Sequence, residues 1–322
     1  MKFSPSSFLP VRLLICCLFF FPSLVLSEAI AQPITTIEAV TSIAPLSRLV
    51  EEIGGERVRV VTLIPPGQNP HTFEPSPSQI ANLHRAAIYF SLDMPFERTL
   101  LAKISGQGNP PFKIIEVGEG ITKLPMPDHR HDHNYRRHER HDHDHQHHKP
   151  TTAYHHHGEL DPHIWLGPPQ LMIISDRILA ALSAADPANV AEYRRNHQQL
   201  QTEIMAMHAR ISKLLAPFAG QTFFVYHPAF GYFADAYGLY QRAIEISGRT
   251  PTPRQLTRLI EDARRDGVRV IFVQPQFDQR SAAAIARAIN GTVVHLDPLA
   301  ADVLGNLEEM AIRISAALTD NQ

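Results

Sequence analysis

Two runs of short β-rich segments alternate with helix-period stretches, and one long amphipathic helix separates them. In the first run, residues 38–41, 58–64, 88–91 and 112–117 read as strands, and 45–53, 77–85 and 95–104 read as helices. In the second, 222–226, 242–246, 268–273 and 292–296 read as strands, with helices at 229–237, from 252, at 280–290 and at 303–318. Strands that alternate with helices of about ten residues form parallel βαβ units. Ser76 before Pro77 and Thr252-Pro253-Arg254-Gln255 are helix starts. Between the runs, 171–182 is helical. Residues 188–215 then place Val190, Tyr193, Leu200, Ile204, Met207, Ile211 and Leu214 on one stripe. That is a helix of roughly 28 residues, about 42 Å long. The expected fold is α/β: two βα lobes with mainly parallel sheets joined by one long linking helix. The expected division is residues 1–31 as a leader, 32–186 as the first lobe, 187–217 as the linking helix and 218–322 as the second lobe. No internal repeat is visible in the sequence.

Histidine breaks this pattern. Twelve of the 19 histidines lie at 129–157, within 128–158, in HRHDHNYRRHERHDHDHQHHKPTTAYHHH. Imidazole suits borderline divalent metals, but this tract has almost no apolar residues with which to fold a shaped cage, and it reads as a mobile loop. A rigid site must use the other histidines. His71, His163, His227 and Asp297 each follow a strand or sit on a loop, where open α/β sheets bind ligands. Each also neighbours a proline: Pro70, Pro162, Pro228 or Pro298. Three imidazoles and a carboxylate make an N₃O set that suits zinc, and two from each lobe would put the metal in the inter-lobe cleft. Read singly, each of the four is equally a loop residue satisfied by backbone hydrogen bonds.

The remaining histidines read more plainly. His197 falls on the packed seam of the long helix, and His84 and His208 on helix surfaces. His295 shares a strand face with Asp297 and is the substitute ligand. Glu74, and less so Glu159, are acceptors placed to orient a ring. Trp165, Tyr226, Phe230 and Tyr232 are expected to pack around the site.

The leader has Lys2 and Arg12 before an apolar run at 13–21, too short to span a membrane, and a small-x-small site at Ala29-Ile30-Ala31. Cleavage there would start the mature chain at Gln32 in the periplasm and remove the only two cysteines, Cys16 and Cys17. Metal binding would then fall to nitrogen and oxygen. A net charge of −2 gives no reason to expect nucleic acid as a partner. No lysine follows a glycine, so there is no phosphate loop, and HExxH is absent, which argues against a zinc hydrolase.

PGQNPHTFEPSPSQ, DPHIWL, YHPAFGYFADAYGL and LDPLA, in that order and with a His-rich insertion before the second, resemble the metal-binding substrate-binding proteins of bacterial ABC transporters, in their zinc (ZnuA-like) branch. The resemblance covers essentially all of the mature chain. It implies His71, His163, His227 and Asp297 as ligands and Zn²⁺ as the transported ligand. It also implies a periplasmic monomer with no enzymatic activity, whose partner is an inner-membrane permease with its ATPase and, in some systems, an auxiliary metal chaperone. Manganese-binding relatives carry a carboxylate where this chain has His227. Some zinc members have a second-lobe disulfide, absent here, and some have Glu at Gln274, to which no metal role is given. A buffer or sensor acting through the His-rich tract, or uptake of manganese or another divalent metal, are the alternative functions.

Overall fold

The computed structural model describes Met1 and residues 36–106, 108, 110–126, 160–245, 252–277 and 279–319. The leader, the His-rich tract and Glu159 lie outside them. In the first lobe β1 (Ile37–Thr41), α1 (Ala44–Gly54), β2 (Val58–Thr62), α2 (Pro77–Leu83), β3 (Ile88–Ser91), α3 (Pro95–Ser105) and β4 (Lys113–Glu116) follow in order. Next come α4 (Pro168–Ala185) and the long α5 (Val190–Leu215). The second lobe holds β5 (Thr222–Val225), α6 (Gly231–Ala236), β6 (Tyr240–Ala243), α7 (Pro253–Arg265), β7 (Val270–Val273), α8 (Gln279–Ala288), β8 (Thr292–His295) and α9 (Val303–Thr319).

Both sheets are fully parallel, in the orders β2-β1-β3-β4 and β6-β5-β7-β8. The two lobes therefore repeat one topology with no visible sequence repeat. The inner strands β3 and β7 are buried at every residue, and the edge strands β4 and β8 are not. The former are accordingly mostly apolar, while the latter begin and end on polar residues.

Local chemistry sets the element ends. Ser76 and Thr252 each accept from the backbone N–H three residues on, while Gln79 and Gln255 reach back to the cap backbone. These are the reciprocal caps expected from the sequence. The long helix is 26 residues rather than 28, because Pro187–Asn189 forms a separate tight turn before it. Strand β6 is shifted furthest from expectation. It pairs at 240–243, in register with 222–225, and Ile244 and Glu245 turn out of the sheet with their N–H groups on Val225 and Tyr226 carbonyls.

Helix α5 packs against α1 and α4 of the first lobe and against α9 of the second. Its stripe of Tyr193, Leu200, Ile204, Met207, Ile211 and Leu215 is buried. One continuous apolar core runs from β1 through α4 and α5 to α9, and a smaller one fills the space between α7, α8 and the second sheet. His197 belongs to the α5 seam as expected, with its Nε2 2.8 Å from Asp176 Oδ1. His84 is exposed, and His208 is half-buried with Nδ1 3.1 Å from the Tyr237 hydroxyl. Among the described residues no helix is long and apolar enough to cross a membrane.

Candidate metal centre

One cleft is lined by His71, which follows β2, by His163, by His227, which follows β5, and by Gln276, which follows β7. His71 sits beyond β2 on a single turn, Pro70–Thr72, capped by Asn69, whose Oδ1 accepts from His71 N–H at 2.9 Å. His227 lies just past β5, and its carbonyl accepts from Ala229 N–H at 2.8 Å. Gln274, fully buried beyond β7, also bonds the His227 backbone. Its Oε1 accepts from His227 N–H at 3.1 Å and its Nε2 donates to His227 C=O at 2.6 Å. Gln274 thus fixes the His227 backbone through both its main-chain groups. His163 follows Asp161, whose Oδ1 accepts both from His163 N–H (2.9 Å) and at Nδ1 (2.7 Å).

The three imidazoles converge. His71 Nε2 lies 3.0 Å from His227 Nε2, which lies 3.3 Å from His163 Nε2, and ligand atoms of all three fall within 4.8 Å of one another. His163 and His227 are buried; His71 is exposed as a residue at the mouth, but its imidazole is largely enclosed by the other rings of the site. Two nitrogens each about 2.0–2.1 Å from one tetrahedral zinc stand about 3.3 Å apart, so the spacing fits a single ion.

Proton placement points the same way. Glu245, 2 % exposed, holds His227 Nδ1 at 2.5 Å, as Asp161, 1 % exposed, holds His163 Nδ1. A carboxylate at Nδ1 keeps the proton there and turns the Nε2 lone pair outward. His163 and His227 therefore face each other with two lone pairs and no donor between them. A cation placed between them takes both lone pairs at once. Burial, then the neighbouring His163, pulls the pKa of His71 down to about 4, and the same causes, with His71 added, push that of His227 well below its ordinary value. Both rings are thus neutral and ready to ligate at ordinary pH.

Asp297 stands apart from this group. Among the described residues the set of mutually close ligand atoms contains the three imidazoles alone. Asp297 Oδ1 accepts instead from Gln276 Nε2 at 2.7 Å and from Leu299 N–H at 2.9 Å. His295 does not approach the centre either. It is exposed at the end of β8, and its carbonyl accepts from Arg313. Glu74 is exposed and, among the described residues, makes no hydrogen bond with His71. Sequence reasoning missed Asp161 and Glu245. The first had a signal, a D-P-H turn two residues before a candidate ligand; the second was masked by the shift of β6.

Apolar residues close the site. Phe277 stacks on His227 at 4.4 Å, and Trp165 lies 5.3 Å from His163 and donates to Pro298 C=O at 2.7 Å. Tyr232 accepts from Leu124 N–H and donates to Asp161 C=O, both at 3.0 Å, which steadies the segment that carries His163. Tyr226 borders Phe277, whereas Phe230 packs on Phe223.

The family model ZnuA, zinc-uptake complex component A periplasmic, matches residues 39–317. The chain belongs to this family. It is a metal-binding solute-binding protein, and its family is an extracytoplasmic transport component rather than an enzyme class. The high-affinity zinc uptake system protein ZnuA of Yersinia pestis is 28% identical over 287 residues, covering 85% of this chain and 87% of that protein. The zinc-binding protein AdcA of Streptococcus pyogenes is 26% identical over 276 residues, 82% of this chain and 50% of that longer protein. A crystal structure of ZnuA superposes with a TM-score of 0.75 at 32% identity, covering 89% of this chain and all of that one. A zinc-bound ZnuA deletion mutant superposes at 0.74 and 33% identity, covering 88% of this chain and 98% of that one.

Proposed function

We propose that this protein captures Zn²⁺ outside the cytoplasm and delivers it to the permease of an ABC transporter in the inner membrane. The observation that carries the reading is the pair of Nε2 lone pairs on His163 and His227, held 3.3 Å apart by buried carboxylates behind each ring, with His71 closing the third side. Asp297 is the fourth ligand, reaching the ion through the oxygen that Gln276 and Leu299 leave free. Nitrogen-rich, four-coordinate binding favours zinc over manganese, which takes more oxygen ligands. A manganese-bound neighbour from Pseudomonas aeruginosa, FpvC, shares the fold at 21% identity and a TM-score of 0.71, and that likeness carries the fold alone.

Residues 1–31 act as a cleaved leader, residues 32–186 and 218–322 serve as the two lobes around the linking helix at 187–217, and the mature protein works in the periplasm as a monomer. ATP hydrolysis belongs to the transporter's own ATPase. The twelve histidines at 129–157 form a separate, weaker collecting region that feeds the cleft. The test is zinc binding by the full chain and by a chain lacking 129–157. One tight site in both, with extra weak sites only in the first, supports the division of roles. Loss of the tight site with the tract would move the function there, as a metal buffer.

A further inference from the structure

Gln276 lines the same cleft as His71, His163 and His227, beside Phe277 and Leu299. Its amide is oriented by one strong partner: Nε2 donates to Asp297 Oδ1 at 2.7 Å. The other end is left without one. Gln276 Oε1 is buried, and among the described residues no group donates to it. A flipped amide would set its oxygen against the carboxylate, so the hydrogen bond fixes which end faces Asp297. An unsatisfied buried acceptor is a standing penalty, and the one on Gln276 calls for an explanation. Here the opposite end shares Asp297 Oδ1 with Leu299 N–H. With two donors on it, that oxygen has little capacity left for a cation.

We propose that Gln276 is a specificity-determining residue that keeps Asp297 monodentate. This rests on the reading that the three histidines and Asp297 hold the metal. With Oδ1 occupied, Asp297 offers only Oδ2, and the ion is held at four ligands, N₃O, the number zinc prefers. Without the amide, Oδ1 keeps only the Leu299 N–H and has a lone pair left for the ion, so the carboxylate can offer both oxygens. Five or more ligands, with a larger oxygen share, suit manganese better. Gln276 thus acts through Asp297, as a positioning residue that sets the ligand count without entering it.

The experiment compares Zn²⁺ and Mn²⁺ affinities of the full chain by chelator competition in wild type, Gln276→Met, Asp297→Asn and the double variant. Met keeps the volume and removes the donor. Thermal midpoints without metal report the fold, and His227→Ala reports the site. The expected result is a Zn/Mn preference reduced about tenfold or more in Gln276→Met, with no further change when the substitution is added to Asp297→Asn. An unchanged ratio in Gln276→Met, or the same effect with and without Asp297, overturns the proposal while the three-histidine site stands. Tight zinc binding retained by His227→Ala overturns the site and the proposal together.

Discussion

A ligand nitrogen is only as good as the group that holds its partner nitrogen's proton. His163 and His227 each have a buried carboxylate for that task, and His71 has none among the groups around it. Glu245→Gln keeps the shape and removes the charge, and is expected to weaken zinc binding by about 10–100-fold, measured by chelator competition; Asp161→Asn should behave alike. An unchanged affinity in both variants would mean that the rings are held by packing alone. The same rings set a pH dependence. His71 titrates at about 4 when folded against 6.5 unfolded, and His227 is shifted in the same direction. The unfolded chain therefore binds more protons between those values. Stability without metal is fully present above about 6.5 and is lost as pH falls toward 4. The thermal midpoint of the metal-free protein should drop across that window, and His71→Ala should flatten the drop. Equal slopes in both proteins would exclude His71 as a contributor.

At the scale of elements, the ends matter more than the middles. Ser76 caps α2 just beyond the turn that carries His71. Ser76→Ala is expected to cost about 1 kcal/mol, read from urea denaturation, and to leave the zinc affinity of the cleft within a few-fold. A large affinity loss would mean that α2 helps hold His71. The sequence made the elements legible wherever local chemistry decides them. Capping pairs, the stripe on α5 and the apolar runs of β3 and β7 all read directly. The edge strand β6 did not, because its frame is set by pairing with β5 across the sheet, a long-range fact. With that frame Glu245 leaves the sheet to meet His227, so its role was hidden for the same reason. His71, His163 and His227 were legible from their loop positions beside prolines. The hydrogen bond that occupies Asp297 Oδ1 comes from Gln276, 21 residues away in sequence, and no local pattern announces it. His295, at the exposed end of β8, lies outside the cluster of imidazoles among the described residues.

For the molecule as a whole, α5 is packed against α1, α4 and α9 at once, and the core passes from one lobe to the other without a break. Trp165 and Tyr232 add hydrogen bonds between the segment carrying His163 and the second lobe. Wide hinge opening would break that core, so metal uptake is expected to proceed by local movement of the exposed His71 turn and the Asp297 loop. Solution scattering curves of the metal-free and zinc-loaded protein lacking residues 129–157 should nearly superimpose. A clear fall in radius of gyration on loading would instead place a hinge where the packing forbids one. The central claim is that one ion is held by three convergent imidazoles. Its most direct test is zinc titration by calorimetry of that deletion protein beside its His71→Ala, His163→Ala and His227→Ala variants. One tight site of unit stoichiometry, lost or much weakened in all three, is the predicted result; tight binding that survives any of the buried substitutions, His163→Ala or His227→Ala, would contradict it.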